Sequence, residues 1–430
     1  MLFIAISALT LFFAFGWQYD FKKKDFKKTS IIDIIARDKE AEISMDGTQQ
    51  VVGMPYQIKS VLPGEHLLEV NKKDYQLWKR SVIVEEDIVT IVNDVLLVPQ
   101  SPDKFVKPLA DLSGKNEKLY TGKNYIVTFK PGDRNLRLIS LFENGTIKEE
   151  DVELYKSGIN QLEITAGENF LLYFADGGMA RVNFEDRRFL FFRLPKQVES
   201  VEISPAKELL YFLLNGDLYA VPFDRLDQLQ DVASFKLNSK VQAYVPAYSH
   251  DIYFLSGGTL FKSNFQGREI RLVDHAPGFY KNVDYKEGNE YGALILRDLN
   301  DKRYLCVLDK KGDVTLLADD LKGRPFFNSY DQLIYAKNSG EIHFNDPNLA
   351  TDTLVDKTEG EFEILGWFSD EGHFLIKENG SVNLGDVFNA NTYTVLNDIK
   401  GVSDYFVLRG SIFYIKEGTL DVMNWSSAAG

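Results

Sequence analysis

The sequence has a single cysteine, Cys306, in 430 residues. No intrachain disulfide can form, so the fold must be held by its core alone. Cys306 sits in the apolar run YLCVL with no neighbouring base or cation, and reads as a buried, inert thiol. Histidine is also scarce. His66, His250, His275, His343 and His373 are isolated, with no second His or Cys at metal-ligand spacing and no His-Glu-x-x-His. There is no Gly-x-Ser-x-Gly elbow, no phosphate-binding Gly-Lys-Ser/Thr loop and no dinucleotide fingerprint. The acid runs Asp319-Asp320 and Glu149-Glu150-Asp151 lack the alternating ligand spacing of a calcium loop. A protein without catalytic, metal or cofactor-binding residues is therefore expected. Carboxylates or arginines brought together from distant repeats are the one arrangement a sequence cannot exclude, and they would favour an enzyme.

An excess of basic charge is missing too. The formal net charge is −14, and residues 105–430 carry 48 acidic against 36 basic side chains, while the first 104 carry 15 against 13. Phosphate binding needs clustered Lys and Arg, so nucleic acid is excluded as a partner. Hydrophobic residues at 44%, with 31 Phe and 21 Tyr, indicate a folded chain rich in strands.

Only one long hydrophobic run is present, LFIAISALTLFFAFGW from Leu2 to Trp17. At about 16 residues it is slightly short of the roughly 20 that span a bilayer. Residues 1–18 are read as a transmembrane helix, with Leu2, Phe3, Ile4, Leu9, Leu11, Phe12, Phe13, Phe15 and Trp17 as the anchoring side chains; a cleaved signal peptide is the alternative. Trp17, Tyr19 and Phe21 beside Lys22, Lys23 and Lys24 fit a membrane–water interface belt, opening a juxtamembrane segment, 19–40. Taken alone, those lysines with Lys27 and Lys28 would put the body on the cytoplasmic side.

Residues 41–99 read as a small β-sandwich of about five strands. AEISMDG ends in an Asp46-Gly47 turn signal, Pro55 to Val61 forms a second strand, and Pro63-Gly64 turns the chain into HLLEVNKKDY, WKRSVIVEE and VTIVNDVLLVP. Tyr75 and Trp78 flank a turn and are read as packing residues, with carbohydrate stacking as the minor reading. The segment VLPGEHLLEVNKKDYQLWKRSVIV, with AEISMDG upstream, resembles a PEGA domain, an immunoglobulin-like surface module; its name turn reads Pro63-Gly64-Glu65-His66 here. The anchor and the Lys-rich segment ahead of it resemble membrane-anchored PEGA proteins. That resemblance implies a body outside the membrane, extracellular or periplasmic, and outweighs the lysines. Pro99-Gln100-Ser101-Pro102 disfavours helix and central strand, so residues 100–104 are read as a linker.

From residue 105 to 430 one unit recurs at roughly 40-residue spacing, the period of a four-stranded propeller blade. Its clearest copy is LLYFLLNGDLYAVPF from Leu209: two strands joined by a turn at Asn215-Gly216-Asp217. Others are FLLYFADGGMARVNF, DIYFLSGGTLFKSNF, QLIYAKNSGEIHF, HFLIKENGSVNL and SIFYIKEGTLDVMNW. Units begin near Lys115, Ile159, Val198, Val241, Asn282, Arg324, Glu361 and Val402. The last has three strands only, and Phe105–Leu112 is expected to pair with Thr419–Trp425 and close the ring. This gives an eight-bladed β-propeller, with seven blades as the alternative. VEISPAKELLYFLLNGDLYAV and GWFSDEGHFLIKENGSVNL resemble TolB-type, WD-like repeats, though their turns read Ser204-Pro205-Ala206-Lys207 and Ser369-Asp370-Glu371-Gly372, so no binding role carries over. Asn144-Gly145-Thr146 and Asn379-Gly380-Ser381 match a glycosylation sequon but also fit hairpin turns.

Extra length falls at FDRLDQLQDV and NDPNLATDTLVDK. Asp224, Arg225, Asp227, Asp346 and Asn348 in them are candidate recognition residues for a basic or neutral partner; the alternative is solvated connections. The sequence points to a membrane-anchored, outward-facing protein whose propeller binds an envelope protein or glycan. An envelope hydrolase with its site in the channel, or a structural surface component, are the rival readings.

Overall fold

The computed structural model describes most of residues 10–424; the segments 1–9, 22, 37–39, 51–55, 114–116, 122–123, 155–157, 166–168, 184–187, 205–208, 223–224, 226–234, 238–239, 248–250, 265–270, 274–277, 310, 370–371, 389–391, 398, 409 and 425–430 lie outside the description. The described chain is almost entirely β, as its wealth of Phe, Tyr and β-branched residues dictates.

Residues 10–14 are helical, and the chain then turns at 15–16 into a hairpin of Trp17–Asp20 against Asp25–Lys28. Trp17 is thus on a strand opposite Lys28, and not the last residue of a helix as the hydrophobic run suggested. The cause is aromatic packing: Phe12 stacks on Trp17 at 5.2 Å and meets Phe26 edge-on at 5.0 Å, which folds the run back on the hairpin. Leu2, Phe3, Ile4 and Leu9 lie outside the described residues. Among those described, no helix is long and apolar enough to cross a membrane.

Two sheets then pack face to face. One has the order Tyr56–Val61, Ser30–Ala36, Val89–Val95, its second pair parallel; the other has the order Thr48–Gln49, Glu42–Met45, Gly64–Asn71, Trp78–Val84. Their shared core is Ile32, Ile34, Ile58 and Val92 from the first against Ile43, Leu68, Val70 and Trp78 from the second. The unit therefore begins at Ser30, ahead of the expected boundary at 41. The central strand of its first sheet comes from residues read as juxtamembrane, because SIIDIIA alternates an inward Ile32/Ile34 face with an outward one. Trp78 is 1% exposed, and Tyr75 packs on the core's edge and bridges to Pro99. Both are packing residues in this fold. Pro63 precedes the strand that Gly64 opens opposite Val84.

The linker is not free of helix: Pro102–Phe105 forms one 3-10 turn, Pro102 supplying a φ suited to its first position. Val98 is buried between two of the later sheets, Tyr393 Oη donates to the Leu77 carbonyl at 3.4 Å, and the Arg80 guanidinium lies 4.7 Å over the Phe388 ring. The small unit is thus fastened to the large one.

Eight four-stranded antiparallel sheets follow among the described residues. Sheets A to G take their strands in chain order from 118–153, 159–192, 198–237, 243–272, 280–318, 321–357 and 362–396. Sheet H takes 402–408, 411–416 and 419–423, and its fourth strand is Val106–Asp111 from the other end of the chain. Val106 stands opposite Met423 and Asp111 opposite Thr419, the closure that the incomplete last repeat predicted. First strands of successive sheets lie against one another, and each sheet is glued to the next by its own apolar layer. Ile126 and Ile139 of sheet A meet Phe413 and Leu420 of sheet H, while their neighbours Val127 and Leu138 meet Ile159 and Leu172 of sheet B. A second strand of a sheet is therefore buried on both faces, which is why LLYFLL and HFLIKE read as unbroken apolar runs rather than alternating ones. Leu375 and Leu384 of sheet G meet Ile412 and Met423 of sheet H, completing the circuit. A ring of four-stranded sheets closed in this way is a β-propeller. Its hairpins use left-handed backbone at the turn, as at Asn215 (φ 55°) and Gly216 (φ 79°), residue types that tolerate that region. Asn379 (φ 49°) sits in an equivalent turn, and the Asn144 side chain caps its own turn by accepting from Thr146 N at 3.1 Å, so both sequons serve local geometry.

Polar side chains are buried where the first, second and third strands of a sheet meet, and they are paired in a repeated way. In sheet G, Ser369 Oγ is hydrogen-bonded to His373 Nδ1 at 2.8 Å, His373 Nε2 faces Asp386 Oδ2 at 3.9 Å, and Asp386 Oδ1 accepts from Phe388 N at 2.8 Å. In sheet F, Asn328 Nδ2 donates to Gln332 Oε1, Gln332 Nε2 donates to Asp346 Oδ2, and Asp346 Oδ1 accepts from Asn348 N at 3.0 Å. Asp331, next to that relay, accepts from Asn289 N and from Glu290 N of the preceding sheet, the latter at 2.9 Å.

Two outcomes follow for stability. Closing a flexible loop of roughly three hundred residues costs about 5 kcal/mol, and burial of Leu420, Val422 and Met423 offsets it at about 1.5–3 kcal/mol each. Removing residues 419–430 should lower the melting midpoint of the whole ring in one cooperative transition, followed by circular dichroism; a midpoint equal to that of the full chain rules closure out as the stabilising contact. His373→Ala leaves Ser369 and Asp386 buried with a partner gone, and should cost about 1–3 kcal/mol in urea unfolding, whereas Glu359→Ala, exposed in the connection after sheet F, should cost less than about 0.5 kcal/mol.

Candidate functional site

A cavity of about 390 Å³ opens among the first strands of sheets C, D and E. Its chemistry comes from sheet E. The register places Asn282, Arg297 and Arg303 in one row across three strands, so their side chains share a face. Asp284 lies two residues along the same face, and Glu202 of sheet C lines the opposite wall. The wall is stiff. Tyr244 Oη donates to the Tyr211 and Ser200 carbonyls at 3.2 and 3.4 Å, and Gln242 Oε1 accepts from Gly258 N at 2.8 Å.

Charge is uneven around this cavity. Lys281 Nζ pairs with Asp301 at 2.7 Å and Arg297 reaches the same carboxylate at 3.7 Å. The hydrogen bond from Lys281, helped by Arg297, holds the Asp301 carboxyl below the usual carboxylate range. Arg303 is half-buried, and its pKa is lowered, first by burial and then by repulsion from Arg297; Asp284 opposes that and Arg324 adds to it. Cationic groups of sheets E and F are thus brought together inside a strongly acidic propeller. None of these residues was singled out from the sequence. Arg297 and Arg303 flank an ordinary hairpin turn; strand register brings Asn282 beside them, while Glu202 and Arg324 come from the separate sheets C and F.

The residues that were singled out lie elsewhere. Arg225 is exposed, while Asp224 and Asp227 are outside the described residues. Asp346 is 6% exposed and organises the turn at 347–350. The stretch from Asn345 is no extra loop. Thr351–Lys357 is the outermost strand of sheet F, polar because its outer edge faces water. Asn348 donates to the Tyr330 carbonyl at 3.4 Å and is part of the same turn.

His343 and Cys306 have structural surroundings. Tyr335 Oη donates to Asp352 at 3.0 Å, His343 Nδ1 lies 3.1 Å from the same carboxylate, and the Tyr335 and His343 rings stack at 5.2 Å. The Cys306 side chain is fully buried, and burial pushes its thiol up to about 12, the reverse of what a nucleophile needs. No group of three or more His, Cys, Asp or Glu placed to hold a metal ion occurs among the described residues.

No protein-family model matches the chain, and no curated protein sequence matches it. Solved structures do. BamB from Moraxella catarrhalis is 9% identical, with a TM-score of 0.43 over 74% of this chain and 100% of that one. The WD40 domain of Toxoplasma gondii coronin is 12% identical, with a TM-score of 0.37 over 65% of this chain and 85% of that one. PorZ, a bacterial surface component of the type-IX secretion system of Porphyromonas gingivalis, is 12% identical, with a TM-score of 0.37 over 72% of this chain and 42% of its own. At such identities these are likenesses of fold alone.

Proposed function

We propose that the chain is a membrane-attached interaction platform. An eight-bladed propeller, held beside a PEGA-like, immunoglobulin-like module, would bind a protein or glycan partner outside the membrane. One observation carries the membrane attachment. Leu11, Phe13, Phe15, Phe21 and Phe26 are all exposed, at 58, 50, 71, 82 and 42%, in one short segment that also holds Lys23, Lys24, Lys27 and Lys28. Apolar side chains gathered like this are unfavourable in water and suit a lipid interface, where aromatic rings sit at headgroup level beside lysines. The hairpin's described polar ties to the body are at the β-turn after Trp78–Val84: Lys28 N donates to Glu86 and Lys28 Nζ pairs with Asp87. Attachment and body are therefore separable. The two-sheet sandwich centred on Trp78 supports the PEGA-like reading, and that resemblance supports an outward-facing body. A hydrolase has one observation in its favour, Glu202 and Asp284 lining the same cavity.

The full chain should fractionate with membranes and require detergent for release. A form lacking residues 1–28 should be soluble with the ring's melting transition intact. Protease added to intact cells should digest the chain beyond Trp17; full protection, with membrane integrity verified, reverses the orientation. Turnover of an envelope glycan or peptide that Asp284→Asn abolishes would decide for the hydrolase.

A further inference from the structure

Arg303 is the one cavity-lining cation among the described residues that makes no hydrogen bond or ion pair with the protein. A guanidinium carries five N–H donors in a planar fork, and holding it half-buried without an acceptor is unfavourable. Every other buried charged group described above is matched: Asp331 by two backbone amides, Asp346 by Gln332 and the turn, Asp386 by Phe388 N. The exception sits on the wall of a cavity large enough for a side chain or a small ligand.

We propose that the cavity receives a carboxylate of a partner protein, an acidic side chain or a chain end, on the fork of Arg303. This deepens the platform reading and rests on it. A carboxylate matches the guanidinium plane with two parallel hydrogen bonds. Arg297, directly opposite on the neighbouring strand, and Arg324 of sheet F add positive potential, and an incoming anion relieves the repulsion that they exert on Arg303. A monovalent group is favoured over phosphate because Glu202 and Asp284 share the cavity and would repel a second negative charge. Asn282 stands in the row beside the arginines, where its amide is placed to meet the polar groups next to the carboxylate.

Isothermal titration of the full chain with an acetylated, amidated tripeptide centred on Glu, its Gln counterpart and inorganic phosphate tests this. The Glu peptide should bind and the Gln peptide should be weaker by about tenfold or more. Arg303→Met should lose the Glu preference while melting at or above the wild-type midpoint, since an unpaired cation leaves; Arg303→Lys, keeping charge without the fork, should fall between. Equal affinity for the Glu and Gln peptides, or an Arg303→Met variant that still prefers Glu, overturns the proposal. Phosphate binding as tightly as the Glu peptide overturns the carboxylate assignment. If a native partner is captured equally by wild type and Arg303→Met, the platform stands and this site falls; if the Glu peptide binds as expected yet no partner protein is found, the site stands and the platform falls.

Discussion

The fold depends on the pairing of Val106–Asp111 with Thr419–Met423. Each sheet of the ring buries its apolar faces only against its two neighbours, so an open ring would leave Ile126 and Ile139 on one side, and Phe413 and Leu420 on the other, in water. Closure removes both ends at once, and at about 1.5–3 kcal/mol per buried aliphatic side chain it outweighs the entropy of joining distant segments.

A closed ring still has outward edges, and two of them are strongly polar. Ile147–Glu153 reads IKEEDVE and Thr351–Lys357 reads TDTLVDK, mostly exposed. Charged outermost strands discourage edge-to-edge pairing with other chains. Inside, acids act differently. Asp331, Asp346 and Asp386 are buried and tie strands or neighbouring sheets together through backbone amides. The low dielectric of the interior makes such satisfied pairs strong and a broken one costly.

Against this background the cavity of sheets C, D and E stands apart. Its lining is polar, and its Arg303 makes no hydrogen bond or ion pair among the described residues, whereas the buried Asp331, Asp346 and Asp386 are all paired. A second departure lies near the start of the described chain, where Phe13, Phe15 and Phe21 are left in the open in one short segment. Stability alone would pair the arginine and cover the aromatics, and these are the two places where the function proposed above puts an outside contact.

Repeat spacing, hairpin turns and the missing strand of the last unit were legible in the sequence, because both-face burial demands continuous apolar runs and the turns demand Gly or Asn. Closure follows from those local requirements, while the choice between eight and seven blades was left open by the sequence. The start of the small sandwich was not legible, since SIIDIIA follows lysines and becomes a central strand only when Tyr56–Val61 and Val89–Val95 flank it. Nor was the role of Thr351–Lys357, because a strand exposed along its outer edge has the composition of a loop. Trp17 left the hydrophobic run for a strand through contacts with Phe12 and Lys28. The cavity lay furthest from view: Asn282, Arg297 and Arg303 acquire a common face only through register, a property of pairing that no local pattern encodes, and Glu202 lines the cavity from a different sheet.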